Sequence, residues 1–115
     1  MIATYVYLRS PSVTHSRDVV ESRIRRWCAA RDRVVTLFAL DAGDDPDWNN
    51  RPAFGNILGV FALTKQPKAD VVVLDWEQLS ADPSVAAEMI TAIGDAGSRI
   101  EFIAGGAPDV IELAS

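Results

Sequence analysis

"VVVLDW", residues 71–76, is the clearest indication of fold class in this chain. Apolar residues run without interruption from Val71 to Leu74, and the run then meets Asp75. A strand with one solvated face alternates apolar and polar residues, whereas a strand buried on both faces reads as a continuous apolar run. The stretch therefore predicts a central strand of a parallel sheet that is covered by helices on both faces.

Three more strands are predicted around this one. They are "IATYVYL" (2–8) and "VVTLFAL" (34–40), both rich in β-branched and aromatic residues, and the shorter "RIEFIA" (99–104). Helical periodicity fills the intervals between the four strands. Alternation of strand and helix predicts an α/β fold of three layers, with a mostly parallel sheet of about four strands and helices on both faces.

Each predicted helix has a start signal and an apolar stripe. The start signals are Ser16 as an N-cap, Pro52 in a first turn, and Asp82 followed by Pro83, and Gly97 is a stop signal for the third helix. The stripes are Val20, Ile24 and Trp27, then Phe54, Ile57, Leu58 and Phe61, then Val85, Met89, Ile93 and Ala96. One amphipathic face per helix fits helices that pack on a sheet rather than stand alone.

Length and composition predict one globular domain. We expect a single domain over residues 1–115, because this length supports a real core but not two. No apolar run approaches the roughly 20 residues of a membrane span, and no signal peptide is recognisable. The single cysteine, Cys28, excludes an intrachain disulfide and suits a small core residue on a helix. Together these features predict a cytoplasmic protein with no membrane association.

Charge is distributed unevenly along the chain. The net charge of −5 argues against generic nucleic-acid binding, which draws most of its affinity from phosphate neutralisation. Residues 9–33 nevertheless hold seven arginines against three acidic residues, a balance of +4 that leaves −9 for the rest. The simplest interpretation is a solvated helix face; the alternative is a patch for DNA or an acidic partner. That patch would consist of Arg17, Arg23, Arg25 and Arg26.

Chemically active side chains cluster where the predicted strands end, which is where parallel sheets bind ligands. The set comprises Arg9, Ser10, Ser12, Asp41, Asp44, Asp45, Asp47, Glu77 and Gln78, with Arg51 opening the second helix. The aspartates lack the spacing of a calcium loop, and His15 has no His or Cys partner nearby, so we expect no metal site. A Ser–His–Asp triad through His15 has nothing to position it. No Gly-rich phosphate loop is present, and we expect no cofactor.

Four motifs in order resemble the catalytic domain of serine recombinases, the resolvase and invertase family, over residues 4–103. They are "YLRSPS" at a first strand end, "LDAGDDP" at a second, "RPAF" at a helix start, and "VVVLDWEQLSAD". The family pattern is Tyr-x-Arg-x-Ser with a nucleophilic serine, Asp-x-Gly-x-Ser-Gly, Arg-Pro-x-hydrophobic, and Asp-Arg-Leu-Ser-Arg. The resemblance implies the resolvase catalytic fold with a flavodoxin-like strand order.

The departures from that pattern fall on the residues that the chemistry needs. Pro11 stands where the resemblance places the nucleophilic serine, and Gln78 and Ala81 replace two arginines that would hold the scissile phosphate. Glu77 replaces the aspartate of the last motif. Arg9 and Arg51 are retained. The family also continues into a long dimerisation helix and a DNA-binding module, for which 115 residues leave no room, so a truncated member is expected.

These departures predict a non-enzymatic domain with a vestigial site at Arg9, Ser10, Pro11, Ser12, Arg51, Glu77 and Gln78. The expected role is protein–protein association or regulation, with a homodimer formed through the apolar tail (Val110, Ile111, Leu113) or the third helix. Two alternatives stay open. Ser10 or Ser12 could replace the missing nucleophile and leave a residual strand-cleavage enzyme, or the arginine-rich first helix could serve a DNA-binding accessory subunit.

Overall fold

The computed structural model describes residues 2–10, 16–43, 45–65 and 69–104. Its strands are β1 (Ile2–Ser10), β2 (Arg33–Ala42), β3 (Asp70–Val73) and β4 (Ile100–Phe102). Its helices are α1 (Arg17–Ala30), α2 (Pro52–Leu63) and α3 (Pro83–Asp95), with short 3₁₀ helices at Trp48–Asn50 and Trp76–Gln78. Strand and helix alternate as the sequence predicts.

The four strands form one parallel sheet in the order β2-β1-β3-β4. This confirms the α/β class and the flavodoxin-like strand order. In the register of β1 on β2, Leu8 lies opposite Leu40 and Arg9 lies opposite Asp41. The carboxyl ends of the two longest strands therefore finish at the same edge and bring these polar side chains together.

Apolar side chains fill two layers, one on each face of the sheet. On one face Tyr7 of β1 packs with Phe54 of α2 and Met89 of α3. On the other face the neighbouring β1 residue, Leu8, packs with Ile24 of α1. The alternation of a strand's side chains thus divides β1 between the two layers, and the predicted helices on both faces are confirmed.

Two helix signals act as the sequence predicts, and one stripe needs correction. Ser16 accepts a hydrogen bond from the Val19 N–H at the start of α1, and Asp82 accepts one from the Ser84 N–H at the start of α3. The buried stripe of α1 is Val20, Ile24 and Cys28, rather than Val20, Ile24 and Trp27. Trp27 is half-buried against the same apolar layer, and the guanidinium groups of Arg31 and Arg33 lie over its ring.

The predicted third strand is too long. β3 ends at Val73, whereas the sequence predicts a strand to Trp76, and the chain turns instead into the 3₁₀ helix at Trp76–Gln78. β4 likewise covers residues 100–102 rather than 99–104. Ladder pairing stops at the same place, since β1 pairs with β3 as far as Val72 and β4 as far as Val73, although the Ala104 N–H still donates to the Leu74 carbonyl oxygen at 2.7 Å.

Candidate strand-end site

Buried polar side chains occupy the carboxyl edge of the sheet. The strand ends and the start of α2 supply Arg9, Asp41 and Arg51, and the second 3₁₀ helix supplies Gln78; their exposed fractions are 4%, 3%, 2% and 0%. We call these four residues, together with Tyr7 and Glu77, the strand-end cluster. Burial of ionised groups at this depth is unfavourable unless each is paired or hydrogen-bonded. The pairing inside the cluster therefore determines what it can do chemically.

Arg9 is held by an ion pair with the second 3₁₀ helix. Its Nη2 donates to Glu77 Oε1 at 2.8 Å and to the Glu77 carbonyl oxygen at 2.9 Å. The Glu77 side chain is 17% exposed, so this pair lies in a low-dielectric setting rather than on the surface. One consequence is that the guanidinium of Arg9 already has an anion and offers little surface to a phosphate.

Asp41 completes the start of α2 from a distant point in the sequence. Its carboxylate accepts hydrogen bonds from the backbone N–H of Ala53 at 2.7 Å and of Phe54 at 2.9 Å. The helix has no capping side chain of its own, and Pro52 at its first position has no N–H to satisfy. A carboxylate at a helix N-terminus is also favoured by the helix dipole. Asp41 thus occupies the place at which this helix would otherwise bind an anion.

Tyr7 and Arg51 complete the network around Asp41. The Tyr7 hydroxyl donates to Asp41 Oδ2 at 2.9 Å and accepts from Arg51 Nη1 at 3.4 Å. Burial, above all, raises the pKa of Tyr7 well beyond its usual range, and the nearby Asp41 charge acts in the same direction although Arg51 opposes it. Tyr7 therefore stays protonated and acts as a hydrogen-bond donor.

Arg51 fastens two loops to each other. Its Nε and Nη2 donate to the carbonyl oxygen of Asp45 at 3.1 and 3.0 Å, and its Nη1 donates to the carbonyl oxygen of Leu79. These bonds join the segment after β2 to the segment after β3. The planar guanidinium group is suited to this role because its N–H donors have fixed directions and can bind carbonyl groups of two segments at once.

The residues that replace the two expected arginines differ in their surroundings. Gln78 is fully buried at the end of the second 3₁₀ helix, and its amide lies 3.5 Å from Glu77 Oε2. Ala81 is exposed, and the following N–H, of Asp82, donates to Ser80 Oγ at 3.0 Å. Neither position carries a cation, so Arg9 and Arg51 are the positive charges of the strand-end cluster in the described part of the chain.

Several predicted residues fall elsewhere. Pro11, Ser12, His15, Asp44 and the tail with Val110, Ile111 and Leu113 lie outside the described residues. The backbone of Ser10 ends β1 opposite Ala42. In residues 2–10, 16–43, 45–65 and 69–104, no group of three or more His, Cys, Asp or Glu side chains is arranged to hold a metal ion. Nor does any helix within these ranges combine the length and the hydrophobicity that a membrane span requires.

The predicted basic patch lies on α1, in the layer opposite α2 and α3. Arg17, Arg23, Arg25 and Arg26 are exposed, as a solvated helix face would be. Arg25 pairs with Glu21 at 3.2 Å and lies over the Phe38 ring at 5.2 Å. Arg26 donates to Ser22 Oγ at 3.3 Å. Among the four, Arg25 is therefore the one with both an acidic and an aromatic partner.

Sequence reasoning missed two features of the molecule. Tyr7 is predicted only as sheet and core, but its hydroxyl links Asp41 to Arg51. Trp48 is not singled out at all, yet it packs edge-on against Phe54 at 5.7 Å and lines a groove beside α3. A tyrosine in a buried strand can predict such a contact from the sequence, because a buried phenol hydroxyl requires a hydrogen-bond partner.

Comparisons with known proteins agree with this fold. No family model matches the chain, and no curated protein matches it. Among solved structures, the N-terminal catalytic domain of TP901-1 integrase superposes with a TM-score of 0.72 at 18% identity, covering 88% of this chain and 76% of that one. A resolvase-family site-specific recombinase from Streptococcus pneumoniae gives 0.72 at 14% identity, covering 98% and 83%.

A third structure, the C-terminal catalytic domain of ISC1926 TnpA, an IS607-like serine recombinase, gives a TM-score of 0.70 at 15% identity. It covers 98% of this chain and 76% of that chain. All three of these proteins are recombinases or integrases. At such low identity the likeness establishes the fold, and the chain accordingly has the fold of a serine recombinase catalytic domain.

Proposed function

We propose that this chain is a resolvase-fold domain that acts in protein–protein association or regulation and does not cleave DNA. The observation that supports this most strongly is the burial of both arginines of the strand-end cluster. Arg9 and Arg51 are 4% and 2% exposed, and their described partners are protein atoms, namely Glu77 for Arg9 and two backbone carbonyls and a tyrosine hydroxyl for Arg51.

Strand cleavage by a covalent route requires a nucleophile and cations that stabilise the charge on the reacting phosphate. In the sequence the nucleophile's position is Pro11, which has no hydroxyl, and the positions of two phosphate-holding arginines are Gln78 and Ala81. Removal of a single preorganised donor costs about 2.7–4 kcal/mol of transition-state stabilisation in other enzymes. Loss of two cations therefore lowers the rate by several orders of magnitude before the nucleophile is considered.

Electrostatics at the site opposes phosphate binding as well. Glu77 and Asp41 contribute two carboxylates to the strand-end cluster, which matches the charge of Arg9 and Arg51 and leaves no positive excess. The acidic turn that carries Asp45 and Asp47 follows at once in the chain. A phosphodiester at this edge would meet carboxylates and find both arginines already paired. The free-energy cost of removing water from the phosphate would therefore not be offset by new ion pairs.

Conversion of supercoiled plasmid to nicked or linear forms tests the absence of cleavage. We expect the wild-type chain to leave the plasmid supercoiled through hours of incubation. Conversion that is abolished in Ser10→Ala or Ser12→Ala would establish the alternative, a residually active strand-cleavage enzyme. Ser84→Ala is the matched control, because Ser84 is an exposed serine at the start of α3. Conversion unaffected by any of the three variants would identify a contaminating nuclease.

A DNA-binding accessory subunit is a second candidate, and the exposed arginines of α1 favour it. Arg17, Arg23 and Arg26 face solvent on one helix and could contact phosphates. The net charge of −5 counts against it. Mobility-shift titration of duplex DNA at 50 mM salt decides between the two functions. Retardation that weakens steeply with salt and is lost in Arg23→Gln/Arg26→Gln supports the accessory role; no retardation excludes it.

A further inference from the structure

A groove of about 440 Å³ lies between the first 3₁₀ helix and α3, away from the strand-end cluster. Its lining is Trp48, Ala87, Glu88, Thr91, Ala92 and Asp95. The alanines and the indole make an apolar floor, and Glu88 and Asp95 are exposed acids along the same side of α3. Because Trp48 is fixed edge-on against Phe54, the groove exists before anything binds.

The opposite layer of the molecule presents a stripe of complementary character. Val19, Arg23 and Arg26 recur at helical spacing on the outer side of α1, and all three are exposed. Val19 is one of the large apolar residues that the described chain leaves in solvent, with 49% of its surface accessible. In the described ranges Arg23 has no ion pair, unlike Arg25, which pairs with Glu21.

We propose that the Val19–Arg23–Arg26 stripe of one copy docks in the Trp48–α3 groove of a second copy. The acids at the groove edge, Glu88 and Asp95, are seven residues apart on α3, which is about 10 Å along the helix. The stripe from Val19 to Arg26 also spans seven residues and therefore has the same length as the groove edge. Arginines beside Trp48 also gain cation–π attraction, and Val19 fills the apolar floor. The inference rests on the proposed association function and names its surfaces.

The occupant is a second copy rather than the chain's own tail because of charge. The tail 105–115 carries Asp109 and Glu112 and no basic residue, so the acidic groove edge repels it. The stripe and the groove lie on opposite faces of the sheet. Such a contact is head-to-tail and does not close a two-fold dimer, so copies add one after another.

Sedimentation velocity of the full chain over a range of 10–500 μM tests the docking, and two variants with neutralised surfaces provide the decisive comparison. Arg23→Gln/Arg26→Gln removes the positive charge of the stripe and keeps the groove intact. Glu88→Gln/Asp95→Asn removes the negative charge of the groove edge and keeps the stripe intact. We expect the average mass of the wild-type chain to rise beyond two copies, and to fall back at about 0.5 M salt, where exposed charges are screened. Each variant alone remains a monomer.

Mixing the two variants separates this contact from any other. One variant supplies an intact groove and the other an intact stripe, so an equimolar mixture forms a one-to-one pair and grows no further. The control Arg17→Gln/Lys65→Gln removes the same charge elsewhere and associates like wild type. A monomeric wild type, or association unchanged in both variants, overturns the proposal. Plasmid cleavage would instead refute the proposed function, so the two failures are distinguishable.

Discussion

Substitution of Asp41 measures how far a carboxylate of the strand-end cluster is a structural part of the fold. Asp41 is 3% exposed and accepts three hydrogen bonds, from the N–H groups of Ala53 and Phe54 and from the Tyr7 hydroxyl. Loss of a helix cap costs about 0.5–2 kcal/mol, and a hydrogen bond to a charged group contributes about 1.5–3 kcal/mol. Asp41→Ala leaves the buried N–H of Phe54 and the partly buried N–H of Ala53 without an acceptor, so we expect a loss of about 3–5 kcal/mol in the free energy of unfolding.

Asp41→Asn and Tyr7→Phe should cause smaller losses of stability than Asp41→Ala, because each removes only part of the hydrogen bonding. Asparagine keeps one acceptor oxygen but presents an amide to the other donors, so its cost should be about half that of Asp41→Ala. Tyr7→Phe removes one partner of the carboxylate and leaves both helix N–H bonds, at a cost of about 1 kcal/mol. Asp45→Asn, at an exposed aspartate of the neighbouring turn, is the control and should change stability by less than about 0.5 kcal/mol.

Urea denaturation followed by circular dichroism gives these free energies, provided that all variants share the wild-type slope. Amide hydrogen exchange at Ala53 and Phe54 gives the local counterpart, with faster exchange expected in Asp41→Ala than in the control. A loss below about 1 kcal/mol for Asp41→Ala, with unchanged exchange at the two amides, would refute a capping role. Asp41 would then be open to other interpretations, including a site for chemistry.

Three further perturbations have defined outcomes. Glu77→Ala leaves Arg9 buried without its anion and should cost about 3–5 kcal/mol, whereas Arg9→Met/Glu77→Leu should cost much less; equal losses in urea denaturation would contradict this. At Asp70, burial opposes ionisation but hydrogen bonds from Arg99 and Arg33 outweigh it, so its pKa is lowered. The stability that Asp70 contributes over Asp70→Asn should be full at pH 7 and shrink below about pH 4; a gap constant from pH 7 to 2 would contradict it. Met89→Ala empties a fully buried position and should cost about 2–5 kcal/mol by thermal or urea unfolding; less than 1 kcal/mol would contradict its core placement.

The fold could be predicted from the sequence because its signals are local. An uninterrupted apolar run at residues 71–74 marks a doubly covered strand, and Asp82 with Pro83 marks the start of α3 by side-chain chemistry alone. The end of β3 could not be predicted in this way. It depends on where the pairing of β3 with β1 and β4 stops, at Val72 and Val73, and that pairing joins residues far apart in the sequence.

The location of the candidate site can be predicted from the sequence, but the hydrogen-bond and ion-pair partners of its residues cannot. Parallel topology brings strand ends together, so Arg9, Asp41 and Glu77 were expected at one edge. Their partners depend on long-range contacts, since the Arg9–Glu77 pair spans 68 residues and the Asp41 cap spans 12 and 13. No local pattern reveals that a carboxylate after β2 caps α2, or that Trp48 forms the wall of a groove.

A covalent adduct between protein and DNA, sought on a denaturing gel, decides whether this chain cleaves DNA. The wild-type chain is incubated with labelled nicked and supercoiled DNA and quenched with denaturant, which preserves only covalent bonds. We predict no labelled protein band, because position 11 of the sequence is a proline and the two arginines of the strand-end cluster are bonded within the protein. A band that disappears in Ser10→Ala or in Ser12→Ala would contradict it and identify a surviving nucleophile.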